Sequence, residues 1–233
     1  MTQKDPLADI AWPGAAVAPS EGCSKAIRGA CTKGLCKERG VSATGRALLT
    51  IGLSLLLVAY YTWFAYAEHR VSGVVRTAMF GATGWLGAQA VLVFVALARP
   101  PGKRGSRAVR LALLFGLPLL FVGYLALLST EHFGLAKFSE PSSAGHAAGC
   151  GIVALLFGAL IAGGALVAWR KTDPYNPGLS GAIIGMVAGL ASGSGMSIAC
   201  GSHELLHSCL AHGAIVFVLA LAGFGLGRRL LAP

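Results

Sequence analysis

Six stretches of the chain stay apolar long enough to exclude water, at approximately 47–66, 74–97, 108–128, 147–169, 179–199 and 210–227. Each is within about 17 to 25 residues, the length a helix needs to cross a hydrocarbon layer about 30 Å thick. No water is available in such a layer to hydrogen-bond an open backbone, so each stretch is predicted to be helical. The expected fold is all-α: a polytopic membrane protein with a six-transmembrane-helix bundle over residues 47–231, preceded by a short polar N-terminal tail, 1–46. The tail is too short to build a core of its own, and no cleavable signal peptide is expected ahead of the first stretch.

Composition agrees with the pattern. The chain is 55% hydrophobic and 12% charged, whereas an ordinary soluble domain is about one quarter charged. Charge then orients the spans, because Lys and Arg in short loops are held on the cytoplasmic side. With six spans, the tail, the second and fourth loops and the C-terminus share one side, and sixteen of the nineteen Lys and Arg fall there. Only Arg70, Arg76 and Lys137 lie opposite. Both termini are therefore expected in the cytoplasm. The net charge of +10 needs no nucleic acid to explain it, since the basic loop PPGKRGSR, Pro100 to Arg107, follows from the orientation rule.

The polar chemistry gathers on the other side. All six histidines, with Cys150, Cys200 and Cys209, fall there or at the adjoining ends of spans. The segment CGSHELLHSCLAHG contains Cys200, His203, His207, Cys209 and His212 in C-x2-H-x3-H-x-C-x2-H spacing. Thiolate and imidazole suit zinc and other borderline or soft ions, and His203 and His207, four apart, share a face if this loop is helical. A second reading pairs thiols instead, in a compartment that permits disulfides: Cys200 joins either Cys150, which lies at similar depth at the end of the fourth span, or Cys209. Both readings stand open on spacing alone.

Gly181, Gly185, Gly189 and Gly193 recur at four-residue intervals in the fifth span, a face that lets a second helix approach closely. No span carries Asp, Glu or Lys near its centre, which argues against a proton-coupled pump. The chain also has no recognisable nucleophile and base pair, so no enzymatic activity is expected. In the tail, Cys23, Ile27, Cys31 and Leu35 recur every four residues beside Arg28, a weak apolar stripe suited to a partner's groove. A basic anchor on anionic lipid, or a metal set on Cys23, Cys31 and Cys36, is the alternative.

Taken together, Cys150, the loop WRKTDPYNP, the glycine-rich fifth span, Cys200, His207, His212 and the closing LGRRLL resemble the NrsF-like membrane anti-sigma factors, well over residues 145–231 and in layout before that. The resemblance implies a six-span protein of the bacterial inner membrane that holds an extracytoplasmic-function sigma factor through its cytoplasmic N-terminal segment. It implies sensing at Cys150 and Cys200 and sigma binding by the tail. His203 and Cys209 depart from the usual pattern of the family. The competing reading is a small metal or ion permease, or an accessory subunit of a transporter. An intramembrane thiol oxidoreductase would need reactive thiols close together, and C-x-x-C is absent.

Overall fold

The structure, a computed structural model, describes residues 25, 41–70, 73–99, 106–129, 144–173, 175–200 and 202–232. Cys23, Ile27, Arg28, Cys31 and Leu35 of the proposed tail stripe lie outside the described residues. The chain divides into two units, Met1–Gly40 and Val41–Pro233, and only the second is described in detail. Its secondary structure among the described residues is helical, with no strand: α1 Ala43–Ala67, α2 Gly73–Ala98, α3 Arg107–Leu128, α4 Ala144–Ala168, α5 Pro177–Ala199 and α6 Leu205–Leu230. All six are long and apolar enough to cross a membrane, the makeup of a multi-pass membrane protein.

Local chemistry sets the helix starts. Ser42 Oγ accepts a hydrogen bond from Gly45 N at 3.0 Å and Ser106 Oγ one from Val109 N at 3.3 Å, each satisfying an orphan donor of the first turn. The Ser42 cap is why α1 begins at Ala43 and takes in residues that polarity alone assigned to the tail. Pro177 opens α5, at a position where its missing N–H costs nothing.

α5 is the axle of the bundle. Every residue from Gly178 to Ala199 is buried, and α5 packs against each of the other five helices. The outer helices turn large apolar side chains outward instead, among them Leu56, Phe80, Leu160 and Leu221. Such faces suit lipid, since apolar surface gains nothing from water. Along α5, Gly181, Gly185, Gly189 and Gly193 all face the backbone of α6: a Cβ at Gly189 would sit 2.6 Å from Val216 Cα, and one at Gly193 would sit 2.7 Å from His212 O. Gly223 and Gly227 answer from α6, so the two backbones meet with no side chain between them.

One end of this seam is clamped by buried polar groups. Arg110 of α3 reaches Ser180 Oγ of α5 at 2.6 Å and Asp173 Oδ2 at 3.8 Å. Ser180 also donates to Asp173, whose other oxygen accepts from the N–H groups of Tyr175 and Asn176 at 3.1 Å. The same loop is stitched to the end of α6 by Lys171 N–H to Leu230 O, 2.9 Å, and Asp173 N–H to Leu231 O, 3.1 Å. Trp169 ties in α1, donating from Nε1 to Thr50 at 3.0 Å beneath the Arg46 guanidinium, 5.3 Å from its ring. Arg110, read from the sequence as one more orienting charge, is thus a buried structural cation at this basic end.

Candidate functional site

The opposite end of α5 carries the cysteines. Cys200 caps that helix, its N–H bonded to Met196 O at 2.8 Å. Cys150 faces it from the first turns of α4, and the two Sγ atoms are 3.6 Å apart with both residues buried. Two imidazoles flank the pair. His146 stands one helical turn before Cys150, with Nε2 3.8 Å from that thiol, while His207 in the first turn of α6 places Nε2 3.2 Å from Cys200 Sγ. The His146 and His207 rings are stacked at 5.4 Å.

One donor atom from each of His146, Cys150, Cys200 and His207 lies within 4.8 Å of the other three. Tetrahedral zinc with S at about 2.3 Å and N at about 2.0 to 2.1 Å separates its ligands by roughly 3.3 to 3.8 Å. The separations of 3.2, 3.6 and 3.8 Å are of this size, and the remaining pairs are no more than 4.8 Å apart. The donor set fits a borderline or soft divalent ion.

Cys200 and His207, from the predicted set, belong to this cluster; His203, Cys209 and His212 are outside it. The reason is local. Residues 202–204 are not helical and α6 starts at Leu205, so the four-residue spacing of His203 and His207 does not place them on one helical face. Ser208–Gly213 then forms a wider π-helical turn, in which residues five apart lie over one another. His207 and His212 are five apart, and their rings meet edge to face at 5.2 Å. His212 is buried with neither ring nitrogen hydrogen-bonded, and Cys209 is a half-buried free thiol. His146 was missed as a donor; the signal for it is its four-residue spacing from Cys150, which puts both on one face of α4.

Burial sets the resting protonation. It pushes the Cys200 thiol up to about 12, an effect that Cys150 adds to and that the Ser202 backbone and Arg70 oppose. It also holds His203 below the ordinary imidazole range, with His207 acting in the same direction. Near neutral pH, Cys200 is therefore a neutral thiol. A cation bound among these donors would reverse that preference, because a coordinating thiol gives up its proton.

The family model for negative regulator of sigma F, NrsF, matches residues 37–232, a range that takes in both ends of the bundle and all six helices. The chain belongs to the NrsF family. Neither a curated protein nor a solved structure matches it. Membership makes the chain a negative regulator of a sigma factor, and makes a sigma factor its partner. The matched range begins after Cys23, Ile27, Arg28, Cys31 and Leu35, and it includes all four clustered donors.

Proposed function

We propose that this NrsF family member is a non-enzymatic anti-sigma factor of the bacterial inner membrane that sequesters an extracytoplasmic-function sigma factor on its cytoplasmic side. It releases that factor when a metal ion or an oxidant reaches the thiols from the periplasm. Both termini are cytoplasmic in this reading, and the stripe of Cys23, Ile27, Arg28, Cys31 and Leu35 lies in the sigma factor's groove. The observation that carries the signalling half is the gathering of His146, Cys150, Cys200 and His207 within 4.8 Å.

Coupling between the two ends follows from α5. Cys200 caps one end of that helix, and Ser180 sits in the Arg110–Asp173 clamp at its other end. Drawing Cys150 and Cys200 together, by coordination or by a disulfide, moves a helix that has no side-chain padding against α6. The shift reaches the loop that presents the basic end. Full switching between 1:99 and 99:1 needs about 5.5 kcal/mol of difference between states. A dithiol couple changes by about 1.4 kcal/mol per 30 mV, so a modest redox change supplies it.

The test uses the full chain in oriented membrane vesicles with its sigma factor bound. Zinc or diamide applied to the periplasmic face is expected to release the factor from the wild type and not from Cys150→Ser. Retention of the factor by the wild type under both treatments overturns the reading, as does a topology reporter near His207 that is active in the cytosol.

A further inference from the structure

Beside the thiol pair, between α1 and α4, lies a cavity of about 240 Å³. Both Cys150 and Cys200 line it. Its walls are aromatic: Phe157 packs at 5.8 Å from the rings of both Tyr60 and Tyr61, and Phe64 closes the side toward Arg70. The Arg70 guanidinium stands 5.7 Å over the Phe64 ring, just beyond the end of α1. Tyr60 and Val153, also in the lining, are exposed on the outer faces of their helices, the faces that suit lipid.

These features restrict the occupant. A dry cavity of about 150 Å³ already takes benzene, so this one accommodates a substituted six-membered ring. Aromatic walls favour a flat ring, and a guanidinium at the mouth favours an oxygen acceptor at the ring's edge. Entry past Tyr60 and Val153 favours a molecule dissolved in the membrane. Two thiols 3.6 Å apart are a two-electron, two-proton donor, and they call for an acceptor of the same capacity.

We propose that this cavity binds the ring of a membrane quinone, and that the quinone oxidises Cys150 and Cys200 to a disulfide. Two S–H bonds break and one S–S bond forms, the sulfurs closing from 3.6 Å to about 2.05 Å. The quinone takes both electrons, and its two carbonyl oxygens take the two protons to give the hydroquinone. His146 and His207, each with a ring nitrogen beside one of the sulfurs, carry the protons away from them. The oxidation state of the membrane quinone pool then becomes the redox signal. The inference rests on the reading of the thiol pair as the sensor and names the oxidant that reading leaves open.

The experiment uses the reduced full chain in lipid nanodiscs, without oxygen, and decylubiquinone as the probe. Loss of quinone absorbance is followed together with peptide mass spectrometry of the unreduced protein. The wild type is expected to consume one quinone per chain at a rate that saturates with quinone, leaving Cys150 joined to Cys200. Val153→Trp, which fills the mouth from the lipid side, slows this at least tenfold yet leaves oxidation by water-soluble diamide unchanged. Arg70→Gln raises the half-saturating quinone concentration several-fold.

A rate linear in quinone, or a Val153→Trp protein that reacts like the wild type with quinone, overturns the proposal. If diamide releases the sigma factor while quinone does not react, the sensor reading survives and the quinone site falls. If quinone forms the disulfide and the sigma factor stays bound, the site survives and release by oxidation falls.

Discussion

Replacing Gly189 with alanine tests whether α5 and α6 are joined backbone to backbone. The added Cβ would lie 2.6 Å from Val216 Cα and 3.3 Å from Val216 N, whereas carbon atoms rest at about 3.5 to 4.0 Å. Both obstructing atoms are main chain, so no rotamer change relieves the contact. The helices must separate by roughly 0.9 Å, and α5 is enclosed by the other five helices. Overpacking of this kind costs about 1 to 3 kcal/mol, partly offset by alanine's helix preference over glycine of about 0.8 to 1.0 kcal/mol. Gly163 of α4 supplies the control, because nothing lies within 4 Å of a Cβ built there; Gly163→Ala receives the propensity gain alone. In SDS-titrated unfolding from mixed micelles, Gly189→Ala is expected to be about 1 to 3 kcal/mol less stable than Gly163→Ala. Equal stability of the two variants would refute the direct backbone seam and the coupling built on it.

Three further outcomes are expected. Asp173→Asn removes the carboxylate charge facing Arg110 in a pair whose side chains are 5% and 2% exposed, and it should destabilise the same unfolding transition by about 3 to 5 kcal/mol. Adding Arg110→Met to that variant should recover most of the loss, and no recovery would refute an ion-pair role. In a chelator competition, His146→Ala and His207→Ala should each weaken zinc binding by more than the roughly 10- to 100-fold typical of an outer-shell partner, while Cys209→Ser leaves it unchanged. Affinity should also rise by about tenfold per pH unit for each thiol proton released; a flat pH profile would exclude thiolate ligation. In metal-free protein, the raised pKa of Cys200, about 12, leaves little thiolate at neutral pH. Its alkylation, read by peptide mass spectrometry, should therefore keep accelerating about tenfold per pH unit past pH 9, where an ordinary thiol with pKa about 8.5 levels off.

The fold was legible because a bilayer imposes a one-dimensional rule, a long apolar run, that survives without knowledge of any contact. The two neighbouring thiols were legible for a similar reason: Cys150 and Cys200 stand where runs begin and end. The donor set was legible only in part, since it joins α4 to α5 and α6 and its members stand as many as 61 positions apart, from His146 to His207. The dense local motif Cys200 to His212 drew attention to itself, yet its helical spacing does not hold where residues 202–204 are not helical and 208–213 widen into a π turn. Arg110 shows the same limit at the other end. A cation near a span boundary reads as an orientation signal, and only the fold reveals Asp173 and Ser180 closing around it.

Enclosure of α5 also constrains how the protein is made. It follows α1 to α4 in the chain, has the lowest hydropathy of the six helices, and includes Ser180, Ser192, Ser194 and Ser197. A segment with no lipid-facing side gains little by waiting alone in the bilayer, and four of the helices that enclose it precede it in the chain. The glycine face then leaves a slot that the α6 backbone fills. Biogenesis thus ends with the two helices that meet backbone to backbone, and a chain stalled before α6 would present an unsealed groove to the membrane's quality-control proteases.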